Sequence, residues 1–233
     1  MGTDVMAGEV EDLVVRDPAG RVLLGPVDLT VTPGERVAVL GRSGAGKSLL
    51  AACLTAGLPP GLVASGRVRT GGSWRHPADV RARGVALVHQ ESATSLHPLY
   101  RVGTQLDRAA RLGRRRAATD RPVPVVDALL EHVGLDPATV RPRLPVELSG
   151  GQRQRVCVAL ALACGADLLV ADEPTTALDT VTEADVAALL ADLPARGTAL
   201  VLVTHDHALA GRCTDRTVVL GAGRLGGDAV EVP

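Results

Sequence analysis

The stretch that decides the fold is Gly41-Arg-Ser-Gly-Ala-Gly-Lys47-Ser48, which matches the pattern G-x-x-x-x-G-K-[ST]. The segment 36–40, apolar after Arg36, precedes it and is typical of a buried strand, and a helix is predicted from Lys47 to about Gly57. Glycines allow backbone N–H groups to turn inward around phosphate oxygens, and the following helix directs its positive end at the same anion. This strand–loop–helix context predicts a phosphate-binding loop rather than an ordinary glycine-rich turn.

Two side chains of this phosphate loop, residues 41–48, suit a nucleotide and its metal ion. The Lys47 ammonium supplies positive charge to the β- and γ-phosphates, and the Ser48 hydroxyl can bind Mg²⁺. The candidate nucleotide-binding residues are therefore Gly41, Arg42, Ser43, Gly44, Ala45, Gly46, Lys47, Ser48 and Leu49.

A pair of carboxylates, Asp172 and Glu173, directly follows the apolar run 168–171. The run predicts a buried strand, and ligands of open α/β sheets bind at the carboxyl ends of such strands. Asp172 is a candidate metal ligand, and Glu173 is a candidate general base or water-orienting group. Alone this pattern is weak, but beside a phosphate loop it indicates nucleoside triphosphate hydrolysis.

The segment Leu148-Ser-Gly-Gly-Gln152 is the most specific signal in the chain. Ser149 and Gln152 have capping-box spacing for the helix that follows. Gly150 and Gly151 are not needed for a cap, and they expose backbone N–H groups at a helix N-terminus, where anions bind. One nucleotide does not need two such anion sites from one chain, whereas a dimer with shared sites would use both.

Two further polar residues follow predicted strands. His205 comes after the strand 199–204, and Gln90 comes after the strand 85–89. We expect His205 to contact the γ-phosphate or the attacking water, and Gln90 to reach the metal ion or that water. Without the other motifs, a surface histidine and a solvated glutamine would be the simpler interpretations.

Composition limits the classes of function. The chain has 233 residues, which suffices for one large α/β domain, and its net charge is -1 with 1% aromatic residues. A basic field and aromatic stacking faces for nucleic acid are both missing, so we expect no nucleic-acid partner. The four cysteines form no C-x-x-C pair, which predicts buried thiols in a reducing compartment. With no secretory signal and no apolar run long enough to span a bilayer, we expect a soluble chain.

Alternating strands and helices predict an α/β fold with a mostly parallel sheet covered on both faces. The run 9–31 predicts β-structure, with Val27, Leu29 and Val31 facing inward. Residues 92–147 are rich in Arg, Ala and Pro and predict an inserted helical subdomain. Later helices are predicted at 152–164 and 182–193, the second with Thr182 and Asp185 at capping-box spacing.

Together, the ordered motifs resemble the ABC ATPase family over nearly the whole chain. The matching segments are its Walker A (41–48), Q-loop (Gln90), signature (148–152), Walker B (168–173), D-loop (177–179) and H-loop (His205). The resemblance implies a P-loop NTPase core of the RecA-like type, with an N-terminal antiparallel β part and an inserted helical subdomain. We therefore expect one ABC-type domain over 1–233, with the core at about 9–91 and 148–221, the helical subdomain at about 92–147 and short loose tails.

The resemblance also implies a mechanism with ATP and Mg²⁺. Two ATP molecules would lie in a head-to-tail dimer, each between the Walker A of one chain and the signature of the other. Glu173 would be the catalytic carboxylate and His205 its partner, with Gln90 coupling hydrolysis to membrane subunits. Residues acting across the dimer would be Ser149, Gly150, Gly151, Gln152 and Asp179, and the metal ligands would be Ser48, Asp172 and Gln90.

A narrower resemblance follows Gln90. Ser95-Leu96, Pro98, Val102-Gly103 and Gln105 are similar to the ATPases of peptide and nickel importers, although His97 stands where that group usually has Asn. This implies a cytoplasmic-face subunit with two permease subunits, a second identical or paralogous ATPase, and an extracytoplasmic solute-binding protein as an indirect partner. An exporter ATPase or a soluble non-transport ABC ATPase is the alternative.

One departure from the family concerns the base of the nucleotide. Members usually carry an aromatic residue after the first strand that stacks on adenine, and the stretch Arg16-Asp-Pro18 has none. We hypothesise that Arg16 or an apolar contact replaces it, since guanidinium planes can stack on bases.

Overall fold

The computed structural model describes residues 6–79, 82–89, 95–116, 125–176, 178–193 and 197–226, with the backbone alone for 114–116. These residues form two compact units. The first contains the chain up to Leu87, the segment Asp167–Glu173 and the chain from Leu190 onward. The second contains Val88–Ala166 and Pro174–Leu189.

The first unit contains an antiparallel sheet at its N-terminal end. Its strands are β1 (Gly8–Arg16), β2 (Val22–Val31), β4 (Val63–Thr70) and β5 (Ser73–Arg75), in the order β2-β1-β4-β5. Val27, Leu29 and Val31 are at most 4% exposed, which confirms the inward face that alternation predicted for β2.

The second sheet of this unit is mostly parallel. It comprises β3 (Arg36–Leu40), β6 (Val85–Val88), β7 (Leu168–Asp172), β8 (Ala199–Thr204), β9 (Arg216–Gly221) and β10 (Arg224–Gly226), ordered β10-β9-β3-β8-β7-β6. Strand β3 pairs in parallel with β8 and β9, and β7 pairs in parallel with β8. The carboxyl ends of β3, β8 and β7 therefore lie side by side, which places whatever follows them at one edge.

The interior of the first unit is aliphatic. Strands β7 and β8 are buried from Leu168 to Ala171 and from Ala199 to Thr204, as the continuous apolar runs predicted for a covered parallel sheet. Helix α1 (Lys47–Thr55) follows β3, and Leu50 and Leu54 on it are at most 1% exposed within the same core. Burial of this face fixes the helix that follows the phosphate loop.

Arg75 on β5 supports the far end of α1. Its Nη2 donates hydrogen bonds to the backbone oxygens of Cys53, at 2.5 Å, and of Leu54, at 2.6 Å. The last carbonyls of a helix have no intrahelical partners, so this guanidinium satisfies two of them. Burial lowers the pKa of Arg75.

We predict that Arg75→Met lowers the free energy of unfolding by about 2–3 kcal/mol, because it leaves buried carbonyls unpaired. Urea denaturation followed by circular dichroism measures this loss. The control is Arg67→Met on β4, where the arginine side chain is 58% exposed and loss of its surface ion pair with Glu11 costs less than about 1 kcal/mol. Equal, small losses in the two variants would contradict the capping role of Arg75.

The second unit is helical. Its elements are α2 (Val102–Arg116), α3 (Val126–His132), α4 (Pro137–Val140), a 3₁₀ turn (Pro145–Glu147), α5 (Gly150–Ala163) and most of α6 (Thr180–Ala191). Helix α5 packs against α2 and α3. The predicted insertion at 92–147 falls within this unit, which also takes in α5; the assignment of domain boundaries stays a prediction. Among the described residues, every helix is too short or too polar to cross a bilayer.

Helix α6 begins two residues earlier than predicted. The capping box predicted at Thr182 and Asp185 is wrong, because Asp179 supplies the cap instead. Its Oδ1 accepts a hydrogen bond from the Thr182 backbone N–H at 3.0 Å, and its Oδ2 accepts one from the Thr182 hydroxyl at 2.8 Å. Thr182 thus has the sequence spacing of an N-cap residue, but it donates hydrogen bonds to the actual N-cap residue, Asp179.

Three of the four cysteines are buried, as predicted, whereas the prediction is wrong for Cys164, which is exposed. Burial raises the pKa of Cys53, Cys157 and Cys213 to about 11. These three thiols therefore stay protonated and unreactive at neutral pH. The last helix, α7 (His207–Cys213), ends at one of them.

Candidate active site

The phosphate loop joins β3 to α1 in the first unit, as predicted. Gly46 immediately precedes α1 with φ +101°, a backbone angle that L-residues with side chains rarely adopt. A Cβ at this position would lie 3.0 Å from Leu24 Cδ1 and 3.3 Å from the Leu23 carbonyl oxygen. Backbone conformation and close packing therefore both require glycine here.

Lys47 is the only lysine among the 25 basic residues of the chain. Its side chain is held within the loop: Nζ donates hydrogen bonds to the Gly41 carbonyl oxygen at 2.7 Å and to the Arg42 carbonyl oxygen at 3.3 Å, and the residue is 8% exposed. An ammonium has three hydrogens and donates only. The loop therefore holds a concentrated positive charge against its own carbonyls, and an anionic ligand would be a stronger acceptor.

The other predicted nucleotide-binding residues differ in how they can reach a ligand. Arg42, Ser43, Gly44 and Ser48 are exposed, and Ala45 is buried. Leu49 is half-buried, and its side chain packs against the core of the first unit.

The two predicted carboxylates lie at the end of β7. Glu173 has φ +48°, a left-handed backbone conformation that is uncommon for residues with a side chain. Its N–H donates to the Val203 carbonyl oxygen of β8 at 2.8 Å, and its side chain is 17% exposed. Strained backbone of this kind clusters at functional sites, and here the Glu173 carboxylate lies against Thr204 and His205 at the end of β8. Asp172 precedes it as the half-buried last residue of β7.

Both oxygens of the Glu173 carboxylate have partners from β8 and the residue after it. Nδ1 of His205 lies 2.7 Å from Oε1, and the His205 side chain is 68% exposed. The Thr204 hydroxyl donates to Oε2 at 3.2 Å. The predicted proximity of Glu173 and His205 is therefore present, and the sequence reasoning missed Thr204, although a polar residue at the end of an apolar strand could have indicated it.

The parallel sheet brings these groups to one edge. The phosphate loop follows β3, His205 follows the last residue of β8, Thr204, and Glu173 follows the last residue of β7, Asp172. These three strands are neighbours in the order β3-β8-β7. A phosphate-binding loop, an acidic pair and an imidazole at the carboxyl ends of adjacent parallel strands suit phosphoryl transfer to water.

The second unit contains the signature segment, Ser149–Gln152, at the start of α5. Its capping box is present as predicted: the Gln152 N–H donates to Ser149 Oγ at 3.2 Å, and the Ser149 N–H donates to Gln152 Oε1 at 3.1 Å. Asp179 lies in the same unit, where hydrogen bonds from the Thr182 backbone and hydroxyl lower its pKa. Gln90 lies outside the described residues.

The model of the ABC transporter family matches residues 24–176, a range that includes the phosphate loop, the signature segment and both carboxylates. The chain belongs to the ABC transporter family. The fold predicted from the motifs, a P-loop NTPase core with mostly parallel strands, is thereby confirmed along with the resemblance.

Relatives of this ABC chain include importer subunits. A nickel import ATP-binding protein of Rhodospirillum rubrum is 41% identical over 228 residues, covering 91% of this chain and 77% of the relative. A dipeptide transport ATP-binding protein of Escherichia coli is 36% identical over 208 residues, covering 85% of this chain and 63% of the relative. The chain spans less than two thirds of the length of the peptide-transport relatives that it matches, 63% or 64% of each.

Solved structures of ABC subunits share this fold. CbiO1 of Clostridium perfringens, part of the ABC transporter complex cbiONQ, superposes with a TM-score of 0.76 at 24% identity, covering 96% of this chain and 88% of that one. The ATP-binding cassette MJ0796, a dimer bound to ADP and phosphate, superposes with a TM-score of 0.74 at 24% identity, covering 97% and 99%.

The two signature glycines of this ABC chain have different surroundings. A Cβ at Gly151 would lie 2.1 Å from Thr182 Cγ2, so the close approach of α6 requires glycine. A Cβ at Gly150 would meet no atom of the described residues within 4 Å, and Gly150 has no positive φ. No steric contact among the described residues demands glycine at 150, in contrast to 151.

We predict opposite effects for alanine at these two positions. Gly151→Ala lowers the free energy of unfolding by about 1–3 kcal/mol through overpacking. Gly150→Ala leaves it unchanged or raises it by up to about 1 kcal/mol through helix propensity, but lowers ATP turnover by blocking the exposed helix N-terminus. Thermal unfolding and phosphate release check both variants, and a fully active Gly150→Ala protein would contradict an approaching ligand there.

Arg16, the hypothesised replacement for the aromatic residue, ends β1 with an exposed side chain whose Nη1 donates to the Gly20 carbonyl oxygen at 3.1 Å. It pairs with Val22 on β2, one residue before Leu23, which approaches Gly46. Arg16 is therefore near the phosphate loop, and its role toward a base stays a hypothesis.

Proposed function

We propose that the chain binds ATP and hydrolyses it with Mg²⁺, as the ATP-binding subunit of a membrane importer for peptides, nickel or a similar small solute. The observation that carries the proposal is the placement of a lysine-bearing phosphate loop and a hydrogen-bonded glutamate at the ends of neighbouring strands. The importer relatives support the transport class.

The residues of the loop fit a triphosphate. Backbone N–H groups of the loop and the N-terminus of α1 suit the phosphate oxygens, and the Lys47 ammonium exchanges its carbonyl partners for them. The oxygen donors Ser48 and Asp172, together with Gln90, are of the type that Mg²⁺ takes alongside phosphates. When bound, Mg²⁺ would neutralise charge on the β- and γ-phosphates.

Glu173 is the proposed general base or water-orienting group, and His205 is its partner. An imidazole that is 68% exposed beside this carboxylate can turn toward a ligand, whereas a buried one could not. Gln90 is proposed to link the metal ion to the membrane subunits.

The proposed unit of hydrolysis is a head-to-tail dimer. Ser149, Gly150, Gly151 and Gln152 of one chain would complete the nucleotide site of another, with Asp179 at the interface. Within the described parts of the chain, a Cβ at Gly150 has no packing neighbour, which supports an external ligand. The second ATPase is either a copy of this chain or a paralogue, and two permease subunits hold the pair at the cytoplasmic face of the membrane, with an extracytoplasmic solute-binding protein acting through them.

Binding and coupling are tested in sequence. Titration calorimetry of the purified chain should show ATP binding that strengthens with Mg²⁺, and phosphate release should rise when the permease pair is supplied in lipid vesicles. Addition of the solute-binding protein loaded with its solute should raise it further for an importer. A chain that binds no ATP would refute the proposed ATPase activity. Phosphate release that does not rise when the loaded solute-binding protein is added would refute only the assignment as an importer.

A further inference from the structure

We propose that Thr204 is a positioning residue, which holds the Glu173 carboxylate in its working orientation through a single directed hydroxyl; this rests on the proposed function. Thr204 belongs to none of the motifs that define the site.

The hydroxyl of Thr204 has one available direction for its proton. Its oxygen accepts a hydrogen bond from the Asp206 backbone N–H at 3.1 Å. A hydroxyl has a single proton, and Glu173 Oε2, an acceptor when ionised, lies 3.2 Å away. Because the accepting side is fixed by the start of α7, the donated proton points at the carboxylate.

The two partners of Glu173 differ in mobility. Thr204 is 1% exposed and is the last residue of β8, whereas His205 is 68% exposed. The buried threonine cannot turn away, and the histidine can. Thr204 therefore anchors Oε2 while Oε1 is released when His205 turns, leaving that oxygen to face a water molecule.

Loss of the anchor should slow turnover without weakening nucleotide binding. We expect Thr204→Val, which keeps the branched shape, to lower kcat for ATP hydrolysis about tenfold, because a hydrogen bond to a charged group is lost. KM and the dissociation constant for Mg-ATP should stay within about twofold, since the Thr204 hydroxyl bonds to the Glu173 carboxylate and to the Asp206 backbone N–H, neither of which is a proposed nucleotide-binding group. Thr204→Ser, which retains the hydroxyl, should restore kcat to within about threefold of the wild type.

The matched control is Thr214→Val. Thr214 is buried in the same unit, and its hydroxyl donates a hydrogen bond to the Ala210 carbonyl oxygen at 2.8 Å. The Thr214→Val variant therefore loses a comparable hydrogen bond, at the other end of α7. It should lose stability but keep kcat. If Thr204→Val lowers kcat no more than Thr214→Val does, or if Thr204→Ser is as slow as Thr204→Val, the positioning role is overturned. A wild-type chain that binds no ATP contradicts the proposed function itself, so the two failures are distinct.

Discussion

Glu173→Gln should bind Mg-ATP as the wild type does and should hydrolyse it about 10²- to 10⁴-fold more slowly, the range for loss of a general base. The amide keeps the shape of the side chain and can still accept the Thr204 hydrogen bond, but it cannot take a proton from water. Single-turnover phosphate release measures the rate, and titration calorimetry measures the binding. Because the nucleotide is proposed to lie between two chains, a variant that binds ATP without hydrolysing it should also accumulate as an ATP-bound dimer.

The control for this prediction is Glu35→Gln. Glu35 is in the same compact unit, its side chain is 19% exposed against 17% for Glu173, and it pairs with Arg216 at 2.8 Å. The two glutamates thus match in burial and in having a basic partner. Glu35→Gln should lose stability and keep its turnover, and near-normal hydrolysis by Glu173→Gln would show that the base lies elsewhere.

Lys47→Ala should lower the affinity for ATP about 100-fold or more. Removing one partner of an enclosed charge pair costs several kcal/mol, and Lys47 is the charged group enclosed by the loop. Nucleotide-dependent thermal stabilisation should disappear with it, since a ligand raises stability only in proportion to its occupancy. The loop itself should stay folded, because Gly46 and the buried face of α1 are unchanged.

Two further variants separate the specific role of Lys47 from an effect of net charge. Lys47→Arg should also bind ATP poorly, because a planar guanidinium cannot replace an ammonium held between the Gly41 and Arg42 carbonyl oxygens. Arg111→Ala removes an exposed cation from α2 and should leave ATP affinity unchanged. If Arg111→Ala and Lys47→Ala weaken binding equally, the effect of Lys47 is net charge alone and the account of the loop is wrong.

The parts of the fold that were predicted from sequence are those governed by local chemistry. Buried strands were predicted correctly at 36–40, 168–171 and 199–204. Parallel strands that are covered on both faces need apolar side chains on both, and this produces runs of apolar residues in the sequence. The Ser149–Gln152 cap was predicted correctly, because its two hydrogen bonds link residues three apart.

The parts that were missed depend on tertiary contacts. Thr182 has the spacing of a cap, but Asp179 occupies that role, and sequence spacing does not distinguish the two. Gly151 stays a predicted part of the signature site, and the approach of Thr182 gives it an additional packing reason that only three-dimensional structure reveals. Thr204 carries no motif, and its link to Glu173 joins residues 31 positions apart. Gln90 stays a prediction from its motif.

The most direct test of nucleotide capture by the phosphate loop uses the fact that the chain has one lysine. Pyridoxal phosphate followed by borohydride labels amines, and peptide mass analysis separates Lys47 from the α-amino group. Saturating Mg-ATP should block labelling of Lys47, adenosine should not, and the α-amino group should be labelled equally in all samples. Labelling of Lys47 that Mg-ATP leaves unchanged would contradict the account.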